Sequence, residues 1–247
     1  MEAGAQCFPR YIYEEKEQPV DLFNDQATFY QRKDGISATA LNHFSQAYPG
    51  HKITADDLFY YIYGILHSIE YRERYANNLI KELPRIPRVR TFEQFKAFSE
   101  AGKNLAQLHV NFESVPMYDG VDIIKKAEIP SYRVNQMKWG KIAGKKGNDA
   151  KDKTKLIYNE DITIENIPLE AQNYVVNKKS ALDWVVERAC VKTDKHSGIV
   201  NDFNAYGEEM GNSRYPFELF LRVITVSLET TKIIKNLPKF ELHSLDQ

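Results

Sequence analysis

Apolar positions recur at helical spacing through much of the chain. Leu41, Phe44 and Tyr48 share one face of a short helix over 37–48, with Ser37 as its N-cap. Thr54-Ala-Asp-Asp57 has the form of a capping box, and 58–66 is apolar almost all round, which predicts a buried helix. A charged stretch over 70–83 predicts a second helix that stops at Pro84. Two prolines make Pro84-Arg-Ile-Pro-Arg88 extended. Thr91-Phe-Glu-Gln94 then opens a long amphipathic helix carrying Phe95, Phe98, Gly102, Leu105, His109 and Phe112 on one side. Further helices are predicted at 168–176, at 181–190 behind Ser180, and at 216–235, with Phe217, Phe220, Ile224, Leu228 and Thr231 on one face.

Strand signals lie elsewhere. Residues 6–36 read as short strands and turns, with Thr28-Phe29-Tyr30 before an Asp34-Gly35 turn. The stretch 132–139 alternates, and 155–158 and 162–164 read as two more strands. Between the first two lies 140–154, rich in Lys and Gly and expected to be a mobile hairpin loop; 192–213 reads as a polar loop. The pattern predicts an α+β fold, mainly a helical bundle with a partial N-terminal β segment and a small antiparallel β insertion. The expected organisation is 1–36 partial β segment, 37–120 helical core, 121–167 β insertion and 168–247 closing helices, in one compact unit. The chain enters directly on a strand-like run at Cys7, as a piece of a longer polypeptide would.

Composition narrows the chemistry. With 43% apolar and 27% charged residues, the 247-residue chain is an ordinary folded protein rather than a disordered one. Two cysteines make no disulfide framework and have no metal-site spacing, so a reducing, cytoplasmic setting is expected. No apolar run is long enough for a membrane helix, and the N-terminus lacks a signal-peptide layout. No phosphate-binding GxxxxGK[ST] loop, methyltransferase Pro-Pro-Tyr/Phe loop or GxSxG is present. Glu14-Glu15-Lys16 echoes half of a nuclease metal site without its upstream Asp; a solvated turn is the plainer reading. The expectation is a chain with no catalytic site, cofactor or metal of its own.

A net charge of −1 advertises no polyanion partner globally, so any nucleic-acid site must be local. The stretch 132–155 is such a place: it holds Arg133, Lys138, Lys141, Lys145, Lys146, Lys151, Lys153 and Lys155 against Asp149 and Asp152. A flexible basic hairpin suits phosphate contact; a solvated loop that aids solubility is the alternative. Arg85, Arg88 and Arg90 sit in the proline-held linker, suited to bidentate contacts or equally to tying helix ends. Arg72 and Arg74 are expected in intrahelical ion pairs. The aromatic run 59–63 is read as core, His67 as a cap on the last carbonyls of its helix, and His109 as a satisfied core histidine.

Longer runs carry a resemblance. Asp57-Leu-Phe-Tyr-Tyr-Ile-Tyr-Gly-Ile-Leu-His-Ser68, Tyr71-Arg-Glu-Arg-Tyr-Ala-Asn-Asn-Leu79 and Leu83-Pro-Arg-Ile-Pro87 closely resemble the C-terminal specificity region of type ISP restriction–modification enzymes. So do 98–109, 158–176, Val191-Lys-Thr-Asp-Lys-His-Ser-Gly-Ile-Val-Asn-Asp202 and 221–230. The likeness covers most of 36–238. It implies a larger polypeptide with nuclease, ATP-driven translocase and adenine N6-methyltransferase modules. ATP, Mg²⁺ and S-adenosylmethionine would belong to those parts, and double-stranded DNA would be the partner of this one. The resemblance carries no base-reading residue over by motif. From charge and expected exposure, the candidate DNA contacts are Arg133, Asn135, Gln136, Lys138, Lys141, Lys145, Lys146 and Arg88. The rival expectation is a helical scaffold that braces the methyltransferase and reads no DNA.

Overall fold

The computed structural model describes residues 7–15 and 30–244. Chain contacts divide it into two units, residues 1–106 with 236–247, and residues 107–235. The fold is α+β.

In the first unit, β1 (Tyr11–Glu15) and β2 (Tyr30–Asp34) form an antiparallel ribbon, exposed along nearly its whole length. Thr28, Phe29 and Lys16 lie outside the described residues. Arg10 ties the ribbon down: it bonds Asp34 at 2.7 Å and also pairs with Asp56. Then come α1 (Ala38–Ala47), α2 (Ala55–His67), α3 (Ile69–Arg74), α4 (Ala76–Leu79) and α5 (Phe92–Val110). The capping residues act as the sequence predicts. Ser37 accepts from Ala40 N, and Thr54 and Asp57 close a reciprocal capping box. The helix expected over 70–83 is instead two short pieces, because Tyr75 leaves helical geometry (φ −110°, ψ 19°). Arg72 and Arg74 make no ion pair with a described residue; Arg74 lies over the rings of Tyr75 and Phe240, about 6 Å from each.

The core of this unit is aromatic: Phe44, Tyr48, Tyr61, Tyr71, Phe95, Phe98 and Phe240, with Leu58 and Ile65. Gly64 and Gly102 let α2 and α5 touch. A Cβ on Gly102 would lie 1.9 Å from Tyr60 O, and one on Gly64 would lie 2.3 Å from Phe98 O. Three core tyrosines spend their hydroxyls on the extended linker: Tyr71 on Arg85 O (2.9 Å), Tyr61 on Pro87 O (2.7 Å) and Tyr48 on Val89 O (2.6 Å). The linker also pairs with the C-terminal tail through Val89 and Leu242.

The second unit holds an antiparallel sheet of β3 (Asp122–Lys125), β4 (Lys138–Lys141), β5 (Lys151–Ile157) and β6 (Ile162–Glu165), in spatial order β3-β6-β5-β4. A two-residue turn joins β7 (Val175–Val176) to β8 (Lys179–Ser180), which leads into α6 (Ala181–Arg188). A hairpin of β9 (Val191–Thr193) and β10 (Val200–Asp202), α7 (Asn204–Glu209) and α8 (Tyr215–Lys235) complete it. Its core joins Val134, Trp139, Leu156, Tyr158, Ile162 and Ile164 to Leu182, Phe217, Phe220 and Ile224.

Several expectations need correction here. The stretch 132–139 is strand only from Lys138. Upstream of it, the backbone of Val134 bonds the Asn204 side chain and Asn135 O accepts from Val191 N, so these groups are taken by loops rather than a ladder. The expected loop 140–154 is shorter, since β4 extends to Lys141 and β5 starts at Lys151. The helix expected at 168–176 is one 3₁₀ turn, Leu169–Asn173, that gives way to the β-branched pair Val175–Val176. The 192–213 loop contains β9, β10 and α7.

Candidate nucleic-acid interface

The stretch 131–141 is held from several sides before it presents any charge. Arg133 pairs with Glu208 (2.6 Å) and with Asp202. Buried Asn204 grips Val134 at both ends, accepting from its N–H at 2.9 Å and donating to its carbonyl at 2.8 Å. Asn159 donates to the carbonyls of Ser131 and Arg133. Gln136 pairs with Cys190 in an isolated bridge. β4 emerges from this clamp with Lys138 and Lys141 exposed and Trp139 buried between them.

Beside β4 lies a cleft of about 740 Å³, lined by Gln136, Lys138, Trp139, Lys151, Lys178 and their neighbours Lys153, Lys179, Asp183 and Glu187. Asp183 organises its inner wall. Trp139 Nε1 donates to Asp183 Oδ1 at 2.9 Å and Lys153 Nζ to Oδ2 at 2.6 Å, while the Asp183 amide bonds the N-cap Ser180 at 3.0 Å. Burial alone would push the Asp183 carboxyl up; the hydrogen bonds from Lys153, Trp139 and Ser180 and the Lys153 charge outweigh it and hold the group below its ordinary value. Lys179 pairs with Glu187 and lies 4.8 Å over the Trp184 ring. Lys138, Lys151 and Lys178 make no ion pair with any described residue. The cleft wall therefore carries five lysines against two carboxylates, and both carboxylates are already engaged.

From β4 the chain passes into a turn over 142–150 with Lys145 and Lys146 exposed on it. Ile142 N donates to Ala150 O at 2.8 Å and closes its base; Gly144 (φ 78°) and Gly147 (φ 67°) supply the left-handed backbone.

The candidates read from the sequence thus fall into three groups. Gln136 and Lys138 line one cleft, and Lys141, Lys145 and Lys146 continue from it onto the turn. Asn135 is exposed next to Gln136, with its carbonyl engaged by Val191. Arg133 is committed to two carboxylates. Arg88 belongs to the other unit and is only 6% exposed. Lys178 and Lys179 were missed, because a helix was expected just before them. The signal was present: Asn177-Lys178 between two valines and a capping Ser180 is the spacing of a two-residue hairpin turn.

Among the described residues, no three His, Cys, Asp or Glu side chains gather as a metal site, and no helix is long and apolar enough to cross a membrane. His67 Nδ1 lies 2.8 Å from Tyr63 O, and burial, with Arg72 nearby, pulls its pKa down. His109 Nε2 lies 2.9 Å from Thr230 Oγ1, and its ring stacks on Tyr174.

This architecture is that of a target-specificity domain: the family model described as the type ISP C-terminal specificity domain matches residues 1–219, and the chain belongs to that family. Among solved structures it is similar to the ATP-dependent type ISP restriction–modification enzyme LlaBIII bound to DNA, with 36% identity over 95% of this chain and a TM-score of 0.77. It is similar also to a nuclease-deletion mutant of the type ISP enzyme LlaGI in complex with a DNA substrate mimic (41% identity over 86% of this chain, TM-score 0.68). A DrdV–DNA complex matches at 28% identity over 87% of this chain, with a TM-score of 0.69. The chain spans 14%, 17% and 21% of those three chains, respectively. No curated protein matches it.

Proposed function

We propose that this chain binds double-stranded DNA and supplies sequence recognition to a larger restriction–modification enzyme. The carrying observation is the run of lysines from the cleft to the 142–150 turn, of which Lys138, Lys141, Lys145, Lys146, Lys151 and Lys178 have no ion-pair partner among the described residues, in a chain whose net charge is −1. Lys138, Lys141, Lys145 and Lys146 contact phosphates and set the register, while Asn135 and Gln136, exposed beside them, reach base edges. Nuclease, ATP-driven translocation and adenine methylation, with ATP, Mg²⁺ and S-adenosylmethionine, reside in other parts of that enzyme, which works in the cytoplasm; this chain adds no catalytic group. The insertion 121–167 is the DNA-facing part of the four expected segments.

The scaffold reading keeps the 84–90 linker. Arg88 is buried, Arg85 pairs with Glu82, Arg90 with Glu241, and three tyrosine hydroxyls hold the backbone between them. Arg88 and Arg133 serve on this account as structural cations.

The test is duplex binding across a salt series by the chain and by a variant with Lys138, Lys141, Lys145 and Lys146 changed to Ala. Binding should fall steeply with salt, and the variant's log–log slope should be shallower by about 3–4. No binding by the intact chain at low salt and tens of micromolar protein overturns the reading and leaves the scaffold.

A further inference from the structure

The β7–β8 hairpin turns on Asn177 and Lys178, both at positive φ (49° and 67°). Two such residues in a two-residue loop are the type I′ pattern, whose twist suits a short hairpin. Asparagine tolerates the first position. The second is ordinarily glycine, and a lysine Cβ is disfavoured there. An outlier of this kind, held at an exposed tip, is a reason to look for a function that the lysine serves.

The surroundings of Lys178 supply one. It is exposed and has no ion-pair partner among the described residues, whereas its neighbour Lys179 is bound to Glu187 and lies over Trp184. It lines the same cleft as Lys138 and Lys151, which likewise form no ion pair with a described residue. Three ammonium groups around one concave wall, with no carboxylate partner among the described residues, raise its potential and attract an anion. A chain that continued from this cleft would meet Lys141, Lys145 and Lys146 next. That suits an extended polyanion better than a single small ion.

We infer that the cleft takes a stretch of the sugar–phosphate backbone and that Lys178 is one of its phosphate contacts, kept at the turn at the expense of fold stability. This rests on the DNA-binding reading above and adds to it a residue and a surface. Lys153 and Lys179 are positioning residues here, fixing the inner wall through Asp183 and Glu187.

The two roles of Lys178 have opposite signs, which makes them separable. K178G, K178A and K178R are compared with the unmodified chain in thermal unfolding and in duplex binding over a salt series. K178G should unfold about 2–4 °C higher, since glycine suits the turn. K178G and K178A should both bind duplex several-fold more weakly, with a salt slope lower by about one. K178R should keep both affinity and slope.

Wild-type affinity and slope in K178G and K178A would overturn the inference and leave the DNA-binding reading intact. A drop in K178G stability would overturn the trade-off. A chain whose cleft binds inorganic phosphate, with Lys178 dependence, more tightly than duplex would be a small-anion site and would overturn the backbone assignment. Failure of the unmodified chain to bind any duplex would overturn the DNA-binding reading and this inference together.

Discussion

Gly64 and Gly102 meet where α2 crosses α5, and neither has space for a methyl group. A methyl on Gly102 would run into a backbone oxygen, which cannot swing aside. Gly102→Ala should therefore lower the melting temperature by roughly 2–10 °C, as overpacking does when no side chain can yield; calorimetry of the two proteins checks it. Asp183 gives a second residue-scale expectation. Its folded pKa lies below the ordinary 3.8, so its contribution is fully present above that value and is lost as pH falls through the lower folded one. Asp183→Asn should keep the Trp139 hydrogen bond but flatten the acid side of a plot of melting temperature against pH, as pH falls below the ordinary carboxylate value. An unchanged acid limb would mean that Lys153 does not depend on this carboxylate.

Arg133 shows how a side chain in a basic stretch can be engaged by carboxylates of the same fold. Sequence alone shows a cation in a basic stretch; its partners, Asp202 and Glu208, come from some seventy residues away and become adjacent only through the fold. Arg133→Ala should leave the salt slope of DNA binding unchanged and speed amide exchange over 191–202, because the base of that hairpin loses the ion pair at Asp202. A slope lowered by about one would instead make Arg133 a phosphate contact.

The elements that could be read in advance were those with local start signals. Ser37, Thr54, Thr91 and Ser180 each open a helix, because a cap bonds an amide only two or three residues away. The misread elements lack such a cap and depend on pairing, some of it distant. β3 is a strand through its pairing with β6, some forty residues on, and β9 through β10. The extended stretch before β4 depends on Asn204. The site divides in the same way. Lys138, Lys141, Lys145 and Lys146 could be found by charge density in one stretch. The opposite wall of the cleft, with Lys178 and Lys179, required the β7–β8 turn to be known.

At the scale of the whole molecule, a near-zero net charge coexists with a lysine-rich face because acidic residues elsewhere offset it. Composition therefore tests solubility better than partner choice. The family match supplies what neither charge nor fold contains: the polypeptides that carry this domain are several times its length. Its two units also divide the arginine linker from the lysine cleft.

The 142–150 turn is closed at its base by the backbone bond from Ile142 to Ala150, with glycine at two of its bends and Lys145 and Lys146 exposed on it. Such a segment can be exchanged like a cassette. Doubling its length would cost only about 0.6 kcal/mol in loop closure. New recognition could then be acquired by swapping a few surface residues, while the folding information in β4 and β5 is inherited unchanged.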